Sequence, residues 1–401
     1  MPSILEMKKR VAIVVLGDFG RSPRMQLQAA SFMRQGLAVD VIAYRGASAW
    51  LLANDADVQR HSIEAPSRAT GVLSAISRGL ALKRALARAH RAMPRPDLFL
   101  VQAPPSVPSL DVVTRFAATH ATPVAVDWHN LTRSLLALRH GRMHPLPIWA
   151  GFQEMRAARR CQLHLAVSER MRDHLKTKGL EAGLLIDRPA AIFRERPDDV
   201  AAVRARLEGP KDGRRTLLVG TATSFTLDED LRLLLEVAPA LGIGLAARAS
   251  SVHVAVVISG KGERRAEVAK LVASASTSSV SFALEWFEGS RYISFLHACD
   301  YGLSLHRSAS GLDFPMKICD MWGAGRKVVA LEFDGLMNRF EAGPDGWTFR
   351  TTEELGKRLA ELGSAGVEHL PQGRHEMTWE AGWEAEAWPK LKRLLTGSAA
   401  R

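Results

Sequence analysis

Residues 305–325, LHRSASGLDFPMKICDMWGAG, have the types and spacing most open to chemistry. An apolar run at 299–305 reads as a buried strand and 308–311 as a turn. Pro315 suits a first helical turn, because it has no N–H to leave unpaired there. The unpaired N–H groups of a helix start, with the helix dipole, favour an anion. Lys317 stands in that first turn, where a cation is unfavourable unless an anion offsets it. Asp320, three residues on, shares its helix face. A diphosphate against Lys317 and a ribose against Asp320 would use this arrangement. A surface Lys–Asp pair on an ordinary strand–helix unit would have the same sequence.

Three other stretches carry reactive types. In GDFGRSPR (17–24), Arg21 and Arg24 can meet phosphate oxygens if the loop lies at the carboxyl edge of a sheet, or can simply be solvated. The loop is not GxGxxG. The run Asp127-Trp128-His129-Asn130 ends an apolar segment. Asp127 can orient His129, whose unperturbed pKa near neutrality suits a general base; a capping Asp and a buried, hydrogen-bonded His are the alternative. Gly260-Lys261-Gly262 resembles a nucleotide-contact loop without P-loop spacing. Asp228-Glu229-Asp230 superficially resembles a metal-binding triplet, but at the expected start of a helix it reads as capping. A Walker lysine, HExxH and GxSxG are missing, and there is no strand-end DxD triplet that would hold a metal.

The elements that would position these residues alternate. Short aliphatic runs at 11–16, 38–43, 98–101, 124–126, 163–167 and 184–186 read as buried parallel strands of a first half. Runs at 216–219, 252–258, 280–287, 299–305, 328–331 and 346–349 repeat the pattern. Residues 195–215 read as the linker and entry to the second half, and 140–145 as a mobile loop carrying two further histidines. The expected domains are 1–189, 190–375 and a helical region 376–401 whose Trp379, Trp383 and Trp388 pack back onto the first. Such alternation implies α/β architecture: two doubly wound, Rossmann-like domains with parallel sheets, facing across an interdomain cleft. A basic helix at 72–93 has Leu73, Ile76, Leu80 and Met93 near one face; it packs on the sheet with a solvated basic face or lies on an anionic membrane.

Composition bounds the partners. Of the 401 residues, 54 are Lys or Arg and 42 Asp or Glu, a net charge of +12 that suggests an anionic partner. Only 6% are aromatic and no reader motif is present, which argues against a nucleic-acid binder. The three cysteines, Cys161, Cys299 and Cys319, are too scattered for a disulfide framework or a zinc site and point to a reducing compartment. No window approaches the roughly 18 apolar residues of a transmembrane helix. The N-terminal apolar run reads as a first strand, not a signal peptide.

The segments GDFGRSPRMQ (17–26), VQAPPSVPSL (101–110), VDWHN (126–130), HGRMHPL (140–146), TSFTLDEDL (223–231), ISGKG (258–262) and 305–325 together resemble one family. It is that of the eukaryotic β-1,4-mannosyltransferases that add the first mannose to chitobiosyl-diphosphodolichol in N-glycan assembly. The matches keep their order and span most of the chain. The resemblance implies a GT-B fold, GDP-mannose as donor, an inverting reaction and work on the cytosolic face of the endoplasmic reticulum, with no cofactor required by the fold and divalent-ion dependence left open. It also implies roles. Lys317 and the adjacent helix start take the diphosphate, Asp320 the ribose and Asp313 the donor sugar, with Gly311 in the same turn. Gly260, Lys261 and Gly262 approach the nucleoside, and Asp18, Arg21 and Arg24 face the sugar–diphosphate junction. Arg24, Pro104, Asn130 and His140 are the acceptor candidates. His129, oriented by Asp127, is the first choice of catalytic base and Asp18 the second. Family members typically begin with a hydrophobic membrane anchor that this sequence lacks, so attachment to an anionic membrane is expected through the surface, with 72–93 as candidate. Phe225 replaces an expected Trp and Ala309 an expected Ser. Residues 220–226 lack a basic pair for phosphates, leaving more of that charge to Lys317. Other glycosyltransferases of the pathway are possible partners. The rival readings are a GT-B enzyme with another donor or lipid-linked acceptor, and an inactive scaffold paralogue.

Overall fold

Runs that are aliphatic on both faces can be buried only in a sheet covered on both sides, and the computed structural model places them so. The structure describes residues 8–64, 72–209, 212–226, 228–229, 231–248, 251–262 and 264–397. Asp230 and the side chains of 72–78 in the basic helix lie outside that description. The chain divides into two compact units: Met1–Asp187 with Glu380–Arg401, and Arg188–Trp379.

The first unit is built on a seven-stranded sheet of order β3-β2-β1-β4-β5-β6-β7. Its strands are β1 (Arg10–Asp18), β2 (Ala38–Tyr44), β3 (Val58–Ile63), β4 (Leu98–Ala103), β5 (Val124–Trp128), β6 (Leu163–Ala166) and β7 (Gly183–Leu184). All its pairings are parallel. Residues 11–15 of β1 and 98–101 of β4 are wholly buried, as the centre of a doubly wound sheet requires. β3 is the strand that aliphatic runs do not reveal. Its sequence VQRHSI interleaves polar residues, which an edge strand tolerates because one side is open. The helix Val72–Ala92 buries Leu82, Leu86 and His90, whereas Leu80, expected on its apolar face, is 50% exposed. The last helices, Trp379–Glu386 and Trp388–Thr396, return to this unit. There Trp383 donates through Nε1 to Gln28 Oε1 at 2.7 Å and meets Phe32 edge-on, with Trp388 stacked upon it.

The second unit carries a six-stranded parallel sheet of order β10-β9-β8-β11-β12-β13. Its strands are β8 (Thr216–Thr223), β9 (His253–Gly260), β10 (Val280–Glu285), β11 (Tyr301–Ser304), β12 (Val328–Leu331) and β13 (Gly346–Phe349). Leu217, Val219, Val256 and Leu303 pack with Leu234, Leu241 and Leu355 from flanking helices in one core. Two Rossmann-like domains of this kind are the architecture of the GT-B fold. No described helix is long and apolar enough to cross a membrane.

Candidate functional site

Where strand order reverses in a doubly wound sheet, the loops leaving neighbouring strands run apart and open a crevice at the carboxyl edge. In the second unit the reversal falls between β8 and β11. Residues 224–226 and 228–229 leave one of these strands, and residues 305–315 the other.

The chain leaves β8 and passes Phe225, which holds a left-handed backbone (φ 54°). It returns so that Glu229 pairs antiparallel with His306, and Arg307 N donates to Asp228 O at 2.6 Å. This corrects the capping assignment for Asp228 and Glu229. The helix starts later, at Arg232–Ala247, with no acid in its first turn, because the preceding residues are occupied in pairing with the other loop. Glu229 is buried and accepts from the Lys317 ammonium and the Thr223 hydroxyl. Lys317, only 17% exposed, lies in the first turn of the helix Met316–Gly323, whose N-cap is Pro315. Burial pulls the Lys317 pKa down to about 8, while Asp228 and Asp320 pull the other way.

Asp313 accepts from the Ser308 hydroxyl and contacts His306 Nε2 at 3.0 Å; His306 Nδ1 lies 3.5 Å from Asp228 Oδ2. Burial would lower the His306 pKa, but the Asp313 bond and charge, helped by Asp228, raise it. Burial would raise that of Asp313, but His306 and Ser308 hold it below the usual carboxylate range. Gly311 takes φ 72° in the same turn and donates from N to Ser308 Oγ at 2.8 Å. Asp320 is buried and accepts from the Tyr292 hydroxyl at 3.1 Å, whose pKa burial and Asp320 raise. The loop after β9 has its own reason for glycine. A Cβ on Gly260 would fall 2.0 Å from Thr223 O, and one on Gly262 1.9 Å from Ser224 O. Lys261 sits 4.5 Å over the Trp286 ring.

In the first unit the reversal lies between β1 and β4. Asp18 ends β1 and accepts from the N–H groups of Gly20 (2.9 Å) and Ala47 (3.0 Å); Arg21 is half exposed and 3.5 Å from its carboxylate. Arg24, in the helix Pro23–Arg34, is 2% exposed. The sequence-based expectation is a phosphate or acceptor contact; in the structure its charge is taken up by two internal carboxylates. Nε donates to Asp127 Oδ2 at 3.0 Å, Nη2 to Asp127 Oδ1 at 2.7 Å and Leu185 O at 2.9 Å, and Nη1 to Asp187 Oδ1 at 2.6 Å. Gln28 also donates to Asp127, at 2.8 Å. Burial would raise the Asp127 pKa, yet Arg24 and His129 hold it well below the usual carboxylate range.

His129 follows β5, its N donating to Ala103 O at 2.7 Å. Its Nε2 is 3.3 Å from Asp127 Oδ2 but off hydrogen-bonding alignment, and has no hydrogen-bond partner among the described residues. Asn130 is buried and accepts through Oδ1 from Leu131 N at 2.8 Å; Pro104 is buried beside β4. His140 is exposed and tilted against His144, with ring centroids 5.0 Å apart.

The structure thus gathers Lys317, Asp313, Gly311 and Asp320 at one sheet edge, and Asp18 with Arg21, and Asp127 with His129, in the other unit. Glu229, His306 and Thr223 are the members that sequence reasoning gives no such role. The only available signal was a run of three acids, Asp228-Glu229-Asp230, after one strand and a histidine after another. No group of three or more His, Cys, Asp and Glu among the described residues could hold a metal ion.

Comparisons with known proteins bear on this geometry. Residues 19–186 match the family model of a glycosyl transferase 4-like domain. The chain is 31% identical over 417 residues to the chitobiosyldiphosphodolichol beta-mannosyltransferase of Yarrowia lipolytica, covering 96% of this chain and 87% of that protein. It is 32% identical to the enzyme of the same name from Eremothecium gossypii, covering 88% and 78%. Among solved structures, sucrose-phosphate synthase from Thermosynechococcus elongatus superposes with a TM-score of 0.71 at 12% identity, over 98% of this chain and all of that one. Anabaena Alr3699/HepE in complex with UDP and glucose gives 0.63 at 14%, over 97% and 99%.

Proposed function

This chain belongs to the chitobiosyldiphosphodolichol beta-mannosyltransferase family, and from that membership we propose that it transfers mannose from GDP-mannose to chitobiosyl-diphosphodolichol in β-1,4 linkage, on the cytosolic face of the endoplasmic reticulum. It is a glycosyltransferase of the GT-B fold; donor, acceptor and location are the proposal. The observation that carries it is Lys317: a largely buried ammonium in the first turn of a helix, at the strand-order reversal of the second unit. The helix start suits a diphosphate, which would draw the Lys317 ammonium away from its Glu229 partner. The UDP held by a protein of the same fold agrees with a nucleotide-linked donor.

The roles follow from chemistry. Lys317 and the N–H groups of its helix hold the diphosphate and stabilise the charge that grows on it as the mannose C1–O bond breaks. Asp320 accepts from ribose hydroxyls. Asp313, kept ionised by His306 and Ser308, accepts from mannose hydroxyls. The backbone at Gly260–Lys261–Gly262 lies against the nucleoside. The acceptor's 4-hydroxyl attacks C1 from the face opposite GDP, which inverts the centre, and His129 takes its proton. Asp127 is suited to orient the ring and stabilise the imidazolium, because Arg24 and Gln28 keep its carboxylate ionised and fixed. Asp18 is the second candidate base, and Arg21 offers a cation suited to a phosphate oxygen.

The test supplies GDP-mannose and UDP-sugars separately with a chitobiosyl-diphospho-lipid and measures product mass. One added hexose from GDP-mannose alone is expected; no addition from it overturns the assignment. His129→Ala should lower kcat at least about tenfold with GDP affinity nearly unchanged. Survival of activity there, with its loss in Asp18→Ala, would exchange the two roles.

A further inference from the structure

The strand that ends in Asp127 and Trp128 leads, through His129 and Asn130, straight into two helices packed on each other, Thr132–His140 and Pro145–Ala158. Their inner side is conventional. Pro147, Ala150, Ala157 and Ala158 are buried, and Glu154 is buried with Oε1 accepting from Thr132 N at 3.1 Å and Thr132 Oγ1 at 2.5 Å. Their outer side is not. Trp149 is 52% exposed, Phe152 63% and the connecting Met143 86%, with Leu138 and Ile148 also exposed. Ile148, Trp149 and Phe152 fall at i, i+1 and i+4, so they share one helix face.

The charges are one-sided. Between 131 and 159 the single acid is Glu154, and it points inward. Arg133, Arg139, Arg142 and Arg156 are exposed and make no ion pair among the described residues. An exposed apolar patch rimmed by unpaired cations marks an interaction surface. Aromatic residues in the middle and arginines at the rim match the two layers of an anionic bilayer surface, acyl boundary and headgroups.

The geometry points to this hairpin as the surface by which the first unit seats on an anionic membrane, and we propose it in that role. It rests on the mannosyltransferase reading in one respect: a lipid-linked acceptor is delivered at a bilayer. The basic helix Val72–Ala92 fits less well, since from residue 79 onward Leu80 is its one exposed large apolar residue.

Flotation of the full chain tests it, with vesicles of phosphatidylcholine alone or with phosphatidylserine, and neither donor nor acceptor present. The full chain should float with phosphatidylserine vesicles at low salt. Trp149→Glu/Phe152→Glu should stay unbound, and Arg139→Gln/Arg142→Gln should bind anionic vesicles roughly thirtyfold more weakly. Lys83→Gln/Arg88→Gln should float like the parent. A thermal melt checks the fold of each variant; if the glutamates unfold the chain, Met143→Gln/Ile148→Gln replaces them with the same expectation. A parent that does not float, or a folded hairpin variant that floats undiminished, overturns the proposal. So does conversion of a dimer to a monomer by the hairpin change with flotation intact, which would make this face a contact between copies. Failure here leaves the mass assay with GDP-mannose untouched, and failure of that assay leaves flotation untouched.

Discussion

Lys317 is the residue on which most of the proposed chemistry turns. Its ammonium is charged below about pH 8 and neutral above it, because burial penalises the charged form. Only the charged form attracts a diphosphate, so GDP affinity should fall as pH rises through about 8. Lys317→Arg should keep a flat profile, since a guanidinium does not titrate there. Calorimetric titration with GDP across that range checks both; a flat wild-type profile would remove Lys317 from the diphosphate. Arg24 is the counterpart in the first unit. It neutralises Asp127 and Asp187 inside the fold. Arg24→Met leaves two buried carboxylates uncompensated and should cost about 3–5 kcal/mol in urea unfolding. The strand–turn–helix that carries Asp313, Lys317 and Asp320 was legible in the sequence, because strand, turn and helix start are local. Arg24 was not: its partners lie 103 and 163 positions away.

At the scale of elements, the two loops at the β8/β11 reversal act as one piece. Pairing of Glu229 with His306 ties the exit of β8 to the exit of β11. The β9 exit is wedged against the same loop, where Gly260 leaves no room for a Cβ beside Thr223 O. Gly260→Ala must push that backbone away. It should cost about 1–3 kcal/mol and weaken GDP binding through the displaced 223–229 loop. Denaturant melts and GDP titration measure the two effects together; a variant with native stability and native affinity would show that the loops move independently. A glycine between strand and helix is visible in the sequence. Whether it serves a ligand or a neighbouring backbone is not, since the neighbour belongs to another strand.

At the scale of the molecule, the chain does not finish in the unit it has just built. Glu380–Arg401 belongs with Met1–Asp187. Trp383 fills a place against Phe32 and Gln28 that the first 187 residues leave open. Trp383→Ala should therefore destabilise the first unit by about 3–5 kcal/mol. Differential scanning calorimetry of the full chain should show the change in the transition that Arg24→Met also moves. If Trp383→Ala shifts a transition that Arg24→Met does not, the tryptophan supports something other than the first unit.

The sequence by itself determined two α/β halves, the strand–turn–helix at Lys317 and the family, because each is written in contiguous residues: aliphatic runs of strand length, a proline and lysine at a helix start, motifs in fixed order. Only the tertiary structure decided which charges meet. Glu229 against Lys317, Asp228 against His306, and Arg24 between Asp127 and Asp187 all join residues on different elements. So does the inward turn of Glu154, which leaves the outer face of its hairpin apolar and positive. Parallel sheets make this unavoidable: each crossover carries neighbours in space far apart in the chain, and the electrostatics of a buried group are set by neighbours in space.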